Sequence, residues 1–319
     1  MRDKLTALLK LLVSAALIVF IFSRVDLAAL RTRLAGANAA LILLALIVYF
    51  SAIVMNTAKW AVLLRAQVRG VPFGALLRYT FIGVFFNNIL PANIGGDVMR
   101  GYGLSAYTER KLDAAASVIV DRLMGLMAFV SSAVVAALIA IYTTHIPDLK
   151  LVGAVAVVAL AALVFAFVVL FSRRARVRLA RLFDWSLLRP LAPIYGRLAD
   201  AFGAYRFRYK TLLAAYAIGV TGLMFTNVVN YLLSQALGGG ISFLAIALFN
   251  PLVGLVLLIP ISVGGLGVNQ NAYVGFYGLV GVAHDHALAV SLLMQALIIL
   301  SSLPGGLLWL RGRGTGVGT

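Results

Sequence analysis

The chain has no cysteine, three histidines and only 10 acidic residues among 319. The missing cysteine removes both a disulfide framework and a thiolate metal site. His145, His284 and His286 are the remaining soft ligands, none lies on a glycine-rich motif, and neither metal nor cofactor is expected. Serine and histidine form no nucleophile pattern, and the few carboxylates form no cluster with ligand spacing. What is present is apolar: 63% of residues fall in the hydrophobic set and mean hydropathy is +1.03, far above the composition of a water-soluble domain. Backbone groups in hydrocarbon are satisfied only within helices or closed barrels. The apolar runs here are long and continuous rather than short and alternating, which predicts an all-α polytopic integral membrane protein.

Basic residues number 27, giving a formal net charge of +17. In a soluble protein that excess would suggest nucleic acid. Here the cations flank apolar spans, fit cytoplasmic loops facing anionic lipid, and imply no nucleic-acid partner. Arg2, Lys4 and Lys10 precede an apolar run to Phe22, and no small-residue cleavage site follows Arg24, so a retained signal anchor is expected.

Hydropathy predicts about six full spans, at 5–23, 39–64, 114–142, 150–172, 212–236 and 287–310, each near the roughly 20 residues a crossing needs. Ten basic residues from Arg173 to Lys210 place that loop in the cytoplasm, and the orientation follows by alternation: both termini inside, with Arg24, Arg31 and Arg33 of loop 24–38 as a mild violation outside. The loop, with Trp185, Pro190 and Pro193, suits an amphipathic helix on anionic lipid. The chain is expected to be one membrane domain: 1–38 an anchor span and loop, 39–142 a first repeat, 143–211 a span and basic loop, 212–310 a second repeat, 311–319 a tail.

The repeat rests on a shared pattern. Pro91-Ala-Asn-Ile-Gly95-Gly96 and Pro260-Ile-Ser-Val-Gly264-Gly265 each sit in a broken apolar region, 76–107 and 243–282, between two full spans. The orientation makes one region enter from the cytoplasm and the other from outside, so the expectation is an inverted repeat with two re-entrant hairpins whose tips approach near the midplane. Two ordinary spans broken by loops is the alternative.

Chemistry concentrates at these places. Asn87, Asn88, Pro91, Gly95, Gly96, Asp97 and Arg100 make a polar stretch in an apolar setting, where Asp97 and Arg100 share a helical face. Asp97 suits a helix cap as well as a ligand, and Arg100 is a donor fork for phosphate. Asp121 and Arg122 lie inside a span, where a charge costs several kcal/mol unless paired or hydrated. They fit either a polar cavity for a lipid headgroup or a structural ion-pair network. The second hairpin, with Pro260, Gly264, Gly265, Gly267 and Asn269, carries no charge, and a helix starting near Val268 would offer amides to an anion. Gly275, Gly278 and Gly281 suit close helix packing, Asn227, Asn230 and Gln235 interhelical hydrogen bonds, and His284 to His286 a solvated outer turn.

Taken together, Asn88-x-Leu90-Pro91-x3-Gly95-Gly96-Asp97-x2-Arg100, Asp121-Arg122-Leu-x-Gly125 and Pro260-x3-Gly264-Gly265-Leu-Gly267 resemble the lysylphosphatidylglycerol synthase transmembrane family over roughly 5–310. The resemblance implies a bacterial inner-membrane protein related to the flippase half of enzymes that aminoacylate phosphatidylglycerol. The soluble transferase domain is not expected, since the chain stops at Thr319 just after its last span, and Asn269 and Gln270 stand where the family pattern has an acidic residue. The matching positions would line a lipid pathway. The expected activity is therefore translocation of an anionic phospholipid or polyprenyl-phosphate headgroup, without catalysis, by a protein that could pair with itself or a lipid-modifying enzyme. The alternatives are a membrane-embedded enzyme acting on a lipid phosphate, and an accessory scaffold working through loop 173–210.

Overall fold

The computed structural model describes residues 27–66, 68, 70–89, 95–105, 107–108, 111–144, 148–172, 178, 203, 205, 207–257, 262 and 264–314. The expected anchor span 5–23, His145, Pro91, Pro260 and most of the basic loop lie outside them. The described residues form ten helices: α1 (Leu27–Ala35), α2 (Ala39–Leu64), α3 (Phe73–Ile89), α4 (Gly95–Leu104), α5 (Lys111–Thr144), α6 (Asp148–Phe171), α7 (Tyr209–Ala236), α8 (Phe243–Val256), α9 (Val268–Gly278) and α10 (His284–Gly314).

Four segments, Ala39–Leu64, Asp113–Tyr142, Tyr209–Ala236 and His284–Arg311, are long and apolar enough to cross a membrane, and α6 contains a shorter apolar stretch, Gly153–Phe167. Large apolar side chains stand exposed along α2 (Leu43, Ile47), α5 (Val135, Leu138), α6 (Val158, Phe165) and α10 (Leu303, Leu307). Such a surface is stable against lipid tails and costly in water. The protein is an all-α, multi-pass membrane protein.

Helix starts follow local chemistry. The Asn38 side chain accepts from the Ala40 and Leu41 amides at 3.0 and 3.3 Å, and Ser242 accepts from the Ala245 amide at 3.2 Å, each satisfying donors that a first turn leaves open. α2 and α7 lie antiparallel: the Asn38 amide donates to the Ala236 carbonyl at 2.8 Å, while at the other end the Tyr205 hydroxyl donates to the Leu63 carbonyl at 3.1 Å. Arg65, Arg208 and Lys210 thereby share one end of the bundle, the basic end.

Both broken regions fold back on themselves. In the first, Gly96 meets Gly83 and Asn87, Gly103 meets the Tyr79 ring, and the Tyr79 and Tyr107 rings stand 6.4 Å apart. Leu64, Leu76, Leu104 and Ala114 pack in one cluster, so the hairpin enters and leaves at the basic end. In the second, Phe249 stacks on Phe276 at 5.7 Å, and Leu237, Ile246, Tyr277 and Leu288 cluster at the opposite end. With a rise of about 1.5 Å per residue, the 10, 14 and 11 residues of α4, α8 and α9 are too short to cross alone.

The hairpins meet tip to tip: a Cβ on Gly264 would stand 2.8 Å from the Asn88 carbonyl oxygen. The remaining contacts obey an inverted pairing. α2 packs on its counterpart α7, α3 on α10, and the counterpart pair α8 on α5. Gly305 and Gly306 of α10, following Pro304, press against the Phe81 carbonyl and the Phe85 ring.

Two sequence expectations are corrected here, on His286 and on Gly275 and Gly281. His286 is not in a solvated turn; it is buried in the first turn of α10, with Nε2 3.0 Å from the Ser234 hydroxyl. Gly275 faces open space and Gly281, at φ +78°, makes a turn, so neither serves close packing. The out-of-place cation Arg33 is neutralised by an ion pair with Asp285 at the start of α10.

Candidate functional site

The first turn of α4 starts at two buried glycines because a side chain at Gly96 would strike the Gly83 carbonyl and the Asn87 amide. The Asn87 side-chain oxygen accepts from the Gly96 amide at 2.8 Å and closes the hairpin. That closure aims Asp97 and Arg100 at α5, where Asp121 and Arg122 wait, and at α2, which contributes Lys59 and Trp60. Arg100 Nη2 donates to Asp121 Oδ2 at 3.0 Å and Nη1 to Asp97 Oδ1 at 3.4 Å. Arg122 Nη1 donates to Asp97 Oδ2 at 2.8 Å. Lys59 Nζ stands 3.3 Å from Asp121 Oδ1 and 3.2 Å from its carbonyl oxygen. The guanidinium carbon of Arg100 lies 4.2 Å from the centre of the Trp60 ring, whose indole N–H donates to Ser117 at 3.3 Å.

Burial grades these groups. Asp121 is 2% exposed, Lys59 5% and Arg100 6%, whereas the Arg122 side chain keeps 32%. Among the described ion pairs, the three cations and two anions sum to +1. Ionic groups withdrawn from water this far persist only when paired; each buried member has an opposite charge within 3.4 Å, while Arg100 Nε and Asp121 Oδ1 make no hydrogen bond. Arg100 is therefore not an open phosphate fork as its sequence position implies. Two carboxylates take its terminal nitrogens and an indole its face, which makes it the rivet of α4 to α5 and α2. Of the two sequence readings, the ion-pair network holds for Arg100 and Asp121.

The second hairpin is also more self-contained than expected. Gly264, Gly265 and Gly267 all have positive φ (+57°, +74° and +81°), conformations that glycine tolerates best. The Gly267 amide donates to the Gln270 side-chain oxygen at 2.7 Å and the Asn269 amide to the Gly265 carbonyl at 2.9 Å. These amides of the α9 N-terminus are committed within the turn rather than offered to an anion. Asn269 itself is buried. The structure thus brings Asp97, Arg100, Asp121 and Arg122 into one cluster, and Asn87, Asn88, Gly96 and Gly264 into the tip contact. Gly265, Gly267 and Asn269 belong to the turn of the second hairpin, apart from the charges. Asn227 and Asn230 do link helices: Asn250 Nδ2 donates to Asn227 Oδ1 at 2.7 Å and the Tyr273 hydroxyl to Asn230 Oδ1 at 2.5 Å.

A cavity of about 280 Å³ opens between α2, α3, α5 and α7. It lies beside the first hairpin and along the α2–α7 axis of the inverted pairing, not between the two hairpins. Its wall is amphipathic: Tyr49, Asn56, Lys59, Thr80 and Thr226 face Ile53, Val84, Phe129, Ile218 and Leu223. Tyr49, Ile218 and Gly222 retain partial exposure, so the cavity reaches the surface. Among the described residues no group of three or more His, Asp or Glu side chains is placed to hold a metal.

A family model described as the lysylphosphatidylglycerol synthase TM region matches residues 7–305. The chain belongs to this family. A UPF0104 membrane protein of Pyrococcus horikoshii is 26% identical over 306 residues, covering 87% of this chain and 88% of that protein. A UPF0104 membrane protein of Methanothermobacter thermautotrophicus is 25% identical over 264 residues, covering 77% and 78%. Membership in the lysylphosphatidylglycerol synthase TM family puts this multi-pass protein among those of membrane-lipid metabolism or translocation.

Lys59 and its neighbour Trp60 escaped the sequence reading of this family member. The available signal was plain: Lys59 is the sole charge in the 26 residues of α2, and an ionisable group inside a span is a functional candidate by default. The Pro304-Gly305-Gly306 contact on α3 was also missed, because a proline–glycine pair near the end of a span reads as termination rather than as a packing surface.

Proposed function

We propose that the protein is a lipid translocase, which moves the headgroup of an anionic phospholipid or polyprenyl phosphate through the membrane while the tails stay in the bilayer. The observation that carries this reading is the amphipathic cavity at the junction of two inverted halves, whose wall carries Lys59, the member of the buried ion cluster that reaches it. Inverted halves meeting at a central site are the usual architecture for alternating access. An ionised headgroup entering bare hydrocarbon meets a Born cost of tens of kcal/mol, which a polar wall with excess positive charge offsets. At about 280 Å³ the cavity lies near the lower bound of about 300–1,000 Å³ for small-molecule sites. That suits a headgroup and leaves acyl chains outside. Lys59, the charged group on the cavity wall, would meet the phosphate, while Arg122, the most exposed cation of the cluster, is paired with Asp97 outside the lining.

This reading makes the protein a carrier rather than an enzyme. The basic end of the bundle argues for the inner membrane with both termini cytoplasmic. The test is reconstitution into liposomes with a headgroup-accessible fluorescent phosphatidylglycerol and a membrane-impermeant quencher. Translocation above that of protein-free vesicles is expected, slowed by Lys59→Met in folded protein, with lipid recovered chemically unchanged. Folded protein that does not accelerate exchange, or lipid that is chemically altered, would sink the proposal.

A further inference from the structure

Lys59 carries the ion cluster to the cavity wall. Its ammonium has three N–H donors, and both polar contacts within reach belong to one residue, Asp121, on the cluster side. Space beside it is kept open by two glycines: a Cβ on Gly125 would stand 3.1 Å from Nζ, and one on Gly219 3.4 Å from Cδ. Among the described lining residues Lys59 is the one charged group. Both carboxylates of the cluster are turned to arginine and lysine, and neither lines the cavity. An anion entering therefore meets an ammonium, and a cation meets no counter-charge.

We infer that Lys59, with Asn56 one turn before it, forms a binding site for a phosphodiester monoanion, and that the site selects headgroups of net charge −1 over those carrying an added ammonium. One negative charge brings the three cations and two anions to neutrality, whereas a headgroup of net charge +1 raises the local sum to +2. An ammonium–phosphate contact is a charge-assisted hydrogen bond, the stronger kind. The proposal rests on the cavity invoked for translocation, but it requires binding alone.

The experiment titrates the purified full chain in micelles with tail-labelled phosphatidylglycerol, with its lysyl ester, and with glycerophosphoglycerol as the tail-free phosphodiester monoanion. Phosphatidylglycerol should bind, the lysyl ester roughly tenfold more weakly or worse, and Lys59→Met should weaken the former by roughly tenfold. Gly222→Leu keeps every charge and fills the cavity, since a Cβ there meets only Met55 at 3.7 Å; it should also abolish binding and covers the case in which Lys59→Met does not fold. Glycerophosphoglycerol should compete poorly. Competition at equal concentration would uphold the phosphate site but overturn its lipid source. Equal or tighter binding of the lysyl ester, or unchanged affinity in folded Lys59→Met, overturns the inference. Selective binding without transport would instead remove the translocase and leave the site standing.

Discussion

Replacing Asp121 by asparagine tests the ion cluster where it is most deeply buried. The side chain accepts from Arg100 Nη2 at 3.0 Å through one oxygen and faces Lys59 Nζ at 3.3 Å through the other. An amide of the same shape must turn its NH2 toward one of these cations and supplies no charge to either. Removing one partner of a buried ion pair costs about 3–5 kcal/mol; here Lys59 loses its carboxylate and Arg100 keeps only Asp97. For a chain of this size about 2 °C accompanies each kcal/mol, so Asp121→Asn should lower the midpoint of thermal unfolding in detergent by on the order of 6–10 °C. The mechanism also fixes the sign of a second measurement. Lys59→Met removes one stranded cation, so Asp121→Asn with Lys59→Met should recover about 1–3 kcal/mol of the loss as a coupling energy. A midpoint unchanged in Asp121→Asn, or a double variant less stable than both singles predict, refutes the account of the cluster as a buried, mutually compensating set.

Two further outcomes follow from the packing. Gly264→Ala sets a Cβ 2.8 Å from the Asn88 carbonyl at a φ of +57°, so the hairpin tips must part; stability lowered by about 1–3 kcal/mol together with lost exchange of labelled lipid is expected, and normal exchange would mean that the tip contact is dispensable. Asn250→Leu strands Asn227, whose side-chain oxygen accepts from it at 2.7 Å. It should destabilise by about 0.6–1.7 kcal/mol, and chemical denaturation should show the loss shrinking when Asn227 is also made apolar.

The spans and the repeat were legible because hydropathy and the Pro-x-x-x-Gly-Gly pattern are local. The predicted 39–64 and 212–236 lie within three residues of α2 and α7, and Val268 begins α9 as expected. Which oxygen meets which nitrogen was not legible. Arg100 sits in a stretch that looks like a ligand loop, and only the distant arrival of Asp121 and Trp60 turns it into a rivet. Lys59 stayed hidden because a single cation in a strongly apolar run scarcely alters the mean. His286 looked solvated from its polar neighbours Asp285 and His284, but burial there is decided by Ser234, far away in the chain. The cavity among the described residues was not legible for the same reason: its walls come from four helices whose facing sides no linear pattern specifies.

Lys59, Asp97, Arg100, Asp121 and Arg122 all come from α2, α4 and α5, while the counterpart helices α7 and α9 match them with asparagine, glutamine and glycine. Duplicated halves of identical chemistry would exchange shapes with no change in energy, like the two pans of an empty balance. Among the described residues every ion of this buried cluster weighs on one pan, so under the proposed translocation conformations opening toward opposite faces would differ in free energy before any cargo arrives, and a ligand that neutralises the loaded side would shift the balance by its differential affinity for the two.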